Sequence, residues 1–93
     1  MTAQATTDQH DHEVRQQVLK LVRQGYLVRA RVEGWFEPPE VMNGYRPDIV
    51  AMKGDECLII EVKKGDIDWP KIAALERFHV ENPRYKLLVI TLK

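Results

Sequence analysis

Asp48, Glu61 and Lys63 are the residues whose types and spacing suit chemistry, because the chain between the two acids reads as a β-hairpin that gathers all three. Apolar runs at Ile49–Met52 and Cys57–Ile60 flank Lys53-Gly54-Asp55-Glu56, and a Gly-Asp pair between strand-like runs signals a tight two-residue turn. With Gly54 and Asp55 as the turn, Lys53 faces Glu56, and counting back along both strands sets Asp48 opposite Glu61. Strand side chains alternate, so Glu61 and Lys63 share a face, and directly opposed residues share one too. Two carboxylates whose Cβ atoms lie roughly 4.5–5.5 Å apart repel unless a cation or a proton stands between them. Their oxygens suit a hard divalent ion such as Mg²⁺. Together with an ammonium, the set has the parts for phosphodiester hydrolysis: a metal to polarise the phosphate and acidify a water, and a cation to hold that water or the developing charge. The competing reading is a turn-proximal acid beside a same-face Glu61–Lys63 ion pair. It leaves unexplained why charges end two otherwise apolar strands.

The elements around the hairpin follow from periodicity. Residues Met1–His12 are polar without apolar periodicity and read as a flexible tail, with His10-Asp11-His12 too loosely held to make a metal cage. Val14, Val18, Leu21 and Val22 then recur at helical spacing from Glu13 to Gln24, and Gly25 ends that helix. Tyr26–Val32 is rich in β-branched and aromatic residues and reads as a strand, with Arg29 and Arg31 on one face. Pro38-Pro39 and Asn43-Gly44 make Glu33–Tyr45 a loop, in which Trp35 and Phe36 suit base stacking, a dimer contact or packing onto the core. After the hairpin, Asp68 is a candidate N-cap with Pro70 in the first turn; Ile72, Leu75, Phe78 and His79 share one side, and Asn82-Pro83 stops the helix. Leu87–Ile90, inside Tyr85–Leu92, reads as a parallel strand covered on both faces. The order is αβββαβ: an α/β fold with a four-stranded mixed sheet flanked by helices, residues 13–93 forming one domain.

Composition narrows the classes. The chain has 93 residues, small enough that oligomerisation would help a single core. With 44% hydrophobic and 30% charged residues it has the make-up of a soluble globular protein, and no apolar run is long enough to span a bilayer, so the expected location is cytoplasmic. The lone Cys57 lies within an apolar strand and reads as a small buried hydrophobe. Formal net charge is zero, but Arg15, Lys20, Arg23, Arg29 and Arg31 crowd a span from Val14 to Arg31 that has no acid. Arg15, Arg23, Arg29 and Arg31 are therefore candidates to follow a phosphate backbone; a solvated helix face and a charge-protected strand edge are the alternative.

Arg46-Pro47-Asp48 followed by Glu61-Val62-Lys63 resembles the PD-(D/E)xK signature of restriction-endonuclease-like nucleases, among which are the Holliday junction resolvases. The resemblance implies the minimal restriction-endonuclease-like core, with Asp48 and Glu61 as metal-binding acids, the Val62 carbonyl as a further ligand, Mg²⁺ or Mn²⁺ as cofactor and Lys63 as the catalytic lysine. Relatives often add an acid from the first helix. Glu13 is the candidate, and its alternative role is a first-turn acid favourable to the helix dipole. A glutamine or lysine from the following helix is also common, and Lys71 stands there. The implied activity is metal-dependent endonucleolytic hydrolysis of DNA, structure-selective for branched or junction substrates, by a homodimer, with RNA as an alternative substrate. The contrasting reading is a non-catalytic module of the same fold that binds nucleic acid or protein.

Overall fold

In the computed structural model, which describes residues 2–32 and 36–92 and their side chains from Gln9 onward, the chain runs α1 (Thr2–Arg23), β1 (Leu27–Ala30), β2 (Ile49–Lys53), β3 (Glu56–Lys64), α2 (Trp69–Glu81) and β4 (Tyr85–Leu92). The αβββαβ order is as expected, and the four strands form one mixed sheet in the order β1-β2-β3-β4. β1 and β3 each pair antiparallel with β2, while β4 pairs parallel with β3 across the α2 connection.

The hairpin turn sets the register everywhere else. Gly54 takes φ +59°, a left-handed conformation open to glycine at little cost, and Lys53 lands opposite Glu56 and Ile49 opposite Ile60. One step further along the ladder, Asp48 faces Glu61. Alternation then sorts the side chains between two cores. Ile49, Ala51, Ile60 and Val62 meet Val14, Val18 and Leu21 of α1, and Val50 and Ile59 meet Leu75 of α2 with Phe78 against them. Fully burying each of these aliphatic side chains contributes about 1.5–3 kcal/mol, so the helices are held by their stripes more than by propensity.

Several elements differ from expectation. α1 begins at Thr2 instead of Glu13. The stretch read as a tail has no glycine or proline to break a helix, so the turns anchored by Val14 and Val18 continue backwards through it. Glu13 accordingly is not a first-turn residue, which removes its role at the helix dipole. β4 is an edge strand, alternately half-buried and exposed, and not a strand covered on both faces. Its apolar run is compatible with a central place, but among the described residues only β3 pairs with it. Phe36 packs partly buried against the α1-side core, whereas Trp35 lies outside the described residues. α2 starts as expected: the Asp68 carboxylate accepts from Lys71 N at 3.2 Å, with proline in the first turn. Cys57 is fully buried.

Candidate functional site

The end of the hairpin remote from its turn holds a charged cluster inside the fold. Asp48 is 4% exposed and Glu61 not at all. Each acid is fixed by the other's strand. Asp48 N donates to Glu61 Oε1 at 2.9 Å, and Val62 N donates to Asp48 Oδ2 at 2.9 Å. The Asp48 carbonyl accepts from Arg31 N at 2.9 Å, so the residue just ahead of β2 is held both by β3 and by the residue that follows β1. These bonds satisfy backbone groups that burial would otherwise leave unpaired, at a cost of about 1–3 kcal/mol each.

Two lysines and a histidine supply the positive charge. Lys71 Nζ stands 2.8 Å from Glu61 Oε2, and Lys63 Nζ stands 3.4 Å from the same oxygen. Neither ammonium lies on a hydrogen-bonding direction of Oε2, which is a buried acceptor with no aligned donor. These contacts are therefore ionic pairs in a dry setting, where charge attraction is strong and removal of one partner is costly. From α1, His10 Nε2 lies 3.2 Å from Asp48 Oδ2, with Nδ1 3.2 Å from Asp11. Burial alone would lower the His10 pKa, but the hydrogen bonds and charges of Asp11 and Asp48 outweigh it and hold the imidazole above its ordinary value.

Asp48, Glu61 and Lys63 are thus brought together. Glu13 is placed otherwise: its carboxylate accepts from Gln17 Nε2 at 2.8 Å within α1, and the α1 side chain that reaches Asp48 is His10. In sequence, His10 is set aside as too loosely held, because it lies in a stretch read as a tail. The signal that could have found it is helical continuity: residues 10, 14, 18 and 21 follow one stripe once the helix is extended backwards. Lys71 owes its position to the Asp68 cap and to its neighbour Ile72, both legible in sequence. His79 makes its bond to the Tyr85 carbonyl, well along the chain from the acids.

The basic span is divided by the sheet. Val28, Ala30 and Val32 pack toward α1, which puts Arg29, and by alternation Arg31, on the face that carries Glu61 and Lys63. Arg15 and Arg23 belong to α1, on the other face. Arg29 Nη1 is 3.9 Å from Glu40. A small pocket of about 120 Å³ beside it, lined by Met42, Val50, Met52 and Tyr85 among others, contains neither acid.

No protein-family model matches the chain, and no curated protein sequence does. The site must be read from its own chemistry. Among the described residues no three His, Cys, Asp or Glu side chains converge as a ready-made metal cage. The donor set is smaller: two buried carboxylates on adjacent strands, one of which presents an oxygen with no aligned hydrogen bond. A hard divalent ion completed by a backbone carbonyl and water fits such a set. Among the described residues, no helix is long and apolar enough to cross a membrane.

Proposed function

We propose that the chain is a metal-dependent endonuclease of the PD-(D/E)xK kind, with the minimal restriction-endonuclease-like core, which hydrolyses phosphodiester bonds of DNA in the cytoplasm and selects branched or junction structures. The observation that carries this reading is a like-charged pair, Asp48 and Glu61, buried opposite one another and surrounded by cations from two other elements. An ordinary fold has no need of such a pair, since a buried charge is expensive unless compensated. The αβββαβ order and the mixed sheet are compatible with that core.

In this reading Asp48, Glu61 and the Val62 carbonyl hold Mg²⁺ or Mn²⁺. The bound ion would polarise the phosphate and make a water acidic enough to attack at neutral pH. Lys63, 19% exposed, brings its ammonium from the buried carboxylate to the side open to solvent, where it positions that water or takes up charge on the phosphate oxygens. Lys71 stays deeper and balances Glu61. Water oxygen bonds to phosphorus, the phosphorus–sugar oxygen bond breaks, and the leaving oxygen takes up a proton. Arg29 and Arg31 share the face of the site and suit contacts to flanking phosphates, with Arg15 and Arg23 reserved for a backbone that wraps past α1.

Because two ammonium groups stand at Glu61 and the His10 imidazole stands at Asp48, the metal-free cluster has little excess negative charge, and a substrate phosphate would supply the missing part. Metal affinity is therefore expected to rise when DNA is present. The same balance favours the second reading, a non-catalytic nucleic-acid- or protein-binding module whose cluster is purely structural.

Cleavage of labelled single-stranded, duplex and four-way-junction DNA, with RNA counterparts, in Mg²⁺ or Mn²⁺ separates the two. The nuclease reading expects cleavage that EDTA stops and that Asp48→Ala, Glu61→Ala and Lys63→Ala each abolish. Cleavage that survives Asp48→Ala or Glu61→Ala sinks it.

A further inference from the structure

The sheet has two edges, and among the described residues only one is protected. β1 is four residues long, and Ala30 N on its outer side donates to Glu37 O at 2.9 Å, so the loop from Phe36 runs along it. β4 is twice that length and pairs only with β3. Among the described residues its outward backbone groups have no partner beyond the strand's first residue, where Tyr85 N donates to Asn82 O and its carbonyl meets His79. α1 lies over β1, β2 and β3, which leaves Leu88 51% exposed and Ile90 and Leu92 partly so. The strand carries one charge, Lys86, and no proline. Natural sheets blunt long apolar edges with charge, proline, bulges or a covering segment, because an open edge recruits another strand.

We infer that β4 is the interface for a second copy of this chain, the two β4 strands pairing antiparallel to join both sheets into one of eight strands. Three observations fit a second copy as the occupant. An antiparallel pair related by a two-fold axis perpendicular to the sheet must set one residue opposite itself, with equal-parity residues opposed around it. With the axis at Leu88 or Val89, Lys86 falls opposite Ile90 or Leu92, so no like charges meet and its aliphatic stem covers apolar surface. The chain has zero formal net charge, so two copies do not repel. An eight-residue edge runs about 27 Å, long enough to anchor an interface to which the uncovered sheet face beside Leu88 also contributes.

The pairing also sets the distance between sites. Glu61 is level with Val89 of β4. An axis at Val89 therefore places both Glu61 residues on one face of the joined sheet, three strand spacings or roughly 14 Å apart. The use of that spacing for paired cuts rests on the nuclease reading, whereas the interface does not.

The test is the mass of the full chain by sedimentation, from micromolar concentrations upward, for wild type and Leu88→Lys, without DNA or metal. Single cysteines at Leu88→Cys, Val89→Cys and, on the opposite edge, Leu27→Cys are oxidised in parallel; Cys57 is fully buried and Leu27 is 77% exposed. The expected result is a wild-type dimer, a monomeric Leu88→Lys whose circular dichroism and urea midpoint match wild type, and cross-linking at 88 or 89 but not at 27. A monomeric wild type overturns the proposal, as does a dimer that survives Leu88→Lys or that cross-links through position 27. None of these outcomes depends on nuclease activity.

Discussion

One hairpin ladder opposes ionisable residues at both of its ends, and the two ends solve opposite problems. Near the turn, Lys53 faces Glu56. The charges are complementary, yet Lys53 is exposed and donates to the Gln24 carbonyl at 2.7 Å while its ammonium sits 5.6 Å from the Tyr26 ring centroid. In water the attraction between opposed charges is too weak to dictate their partners. At the far end, Asp48 and Glu61 carry the same charge and are buried, and there α1 sends His10, α2 sends Lys71 and β3 adds Lys63. Solvent makes a favourable pair dispensable. Burial makes an unfavourable pair the organising demand on two other elements, α1 and α2.

The comparison is broken most severely by removing a cation from the buried end. Lys71→Met leaves Glu61 with Lys63 alone, 3.4 Å from Oε2, and is expected to cost about 1–3 kcal/mol by urea unfolding, less than the loss of every partner because one ammonium still faces the buried carboxylate. Lys53→Met at the exposed end is expected to cost within about 1 kcal/mol. Equal losses at the two ends would remove the distinction.

A smaller, pH-dependent effect isolates the α1 contribution. The folded state raises the His10 pKa from 6.5, so the protonated imidazole stabilises the metal-free protein fully below that value. That stability fades as pH rises through the raised folded value. In EDTA, the stability difference between wild type and His10→Ala should therefore be largest in mildly acidic solution and shrink toward alkaline pH. A gap that stays flat or widens with pH would place the histidine outside the cluster.

The smallest effect comes from copying the site's charge pattern at the turn. Lys53→Glu opposes two carboxylates there, and the expected loss is under about 1 kcal/mol and diminishes with added salt. A large, salt-insensitive loss would mean that the turn end is drier than its exposure indicates.

What the sequence made legible divides along the same line. The Gly54-Asp55 turn and strict alternation carried the register, and with it the opposition of Asp48 and Glu61 thirteen positions apart, because both are local rules. Asp68 marked the start of α2, and so the turn that carries Lys71. His10 was hidden since its segment lacks an apolar stripe of its own and becomes helical as the continuation of a packed one. The exposure of β4 was hidden as well. Whether an apolar strand is central or at an edge depends on what pairs beyond it, which no window of residues records. Arg15 and Arg23 looked continuous with Arg29 and Arg31 in the chain, yet the sheet sets them on separate faces.

The claim that joins these findings is that the buried carboxylate pair is a seat for a divalent cation. Calorimetric titration of Mn²⁺ into the protein with a non-cleavable phosphorothioate DNA tests it directly, with Asp48→Asn as the comparison. Saturable binding by wild type, weaker without the DNA and lost in the variant, is the expected result. Equal binding by both proteins, or none by folded wild type with or without DNA, would contradict it.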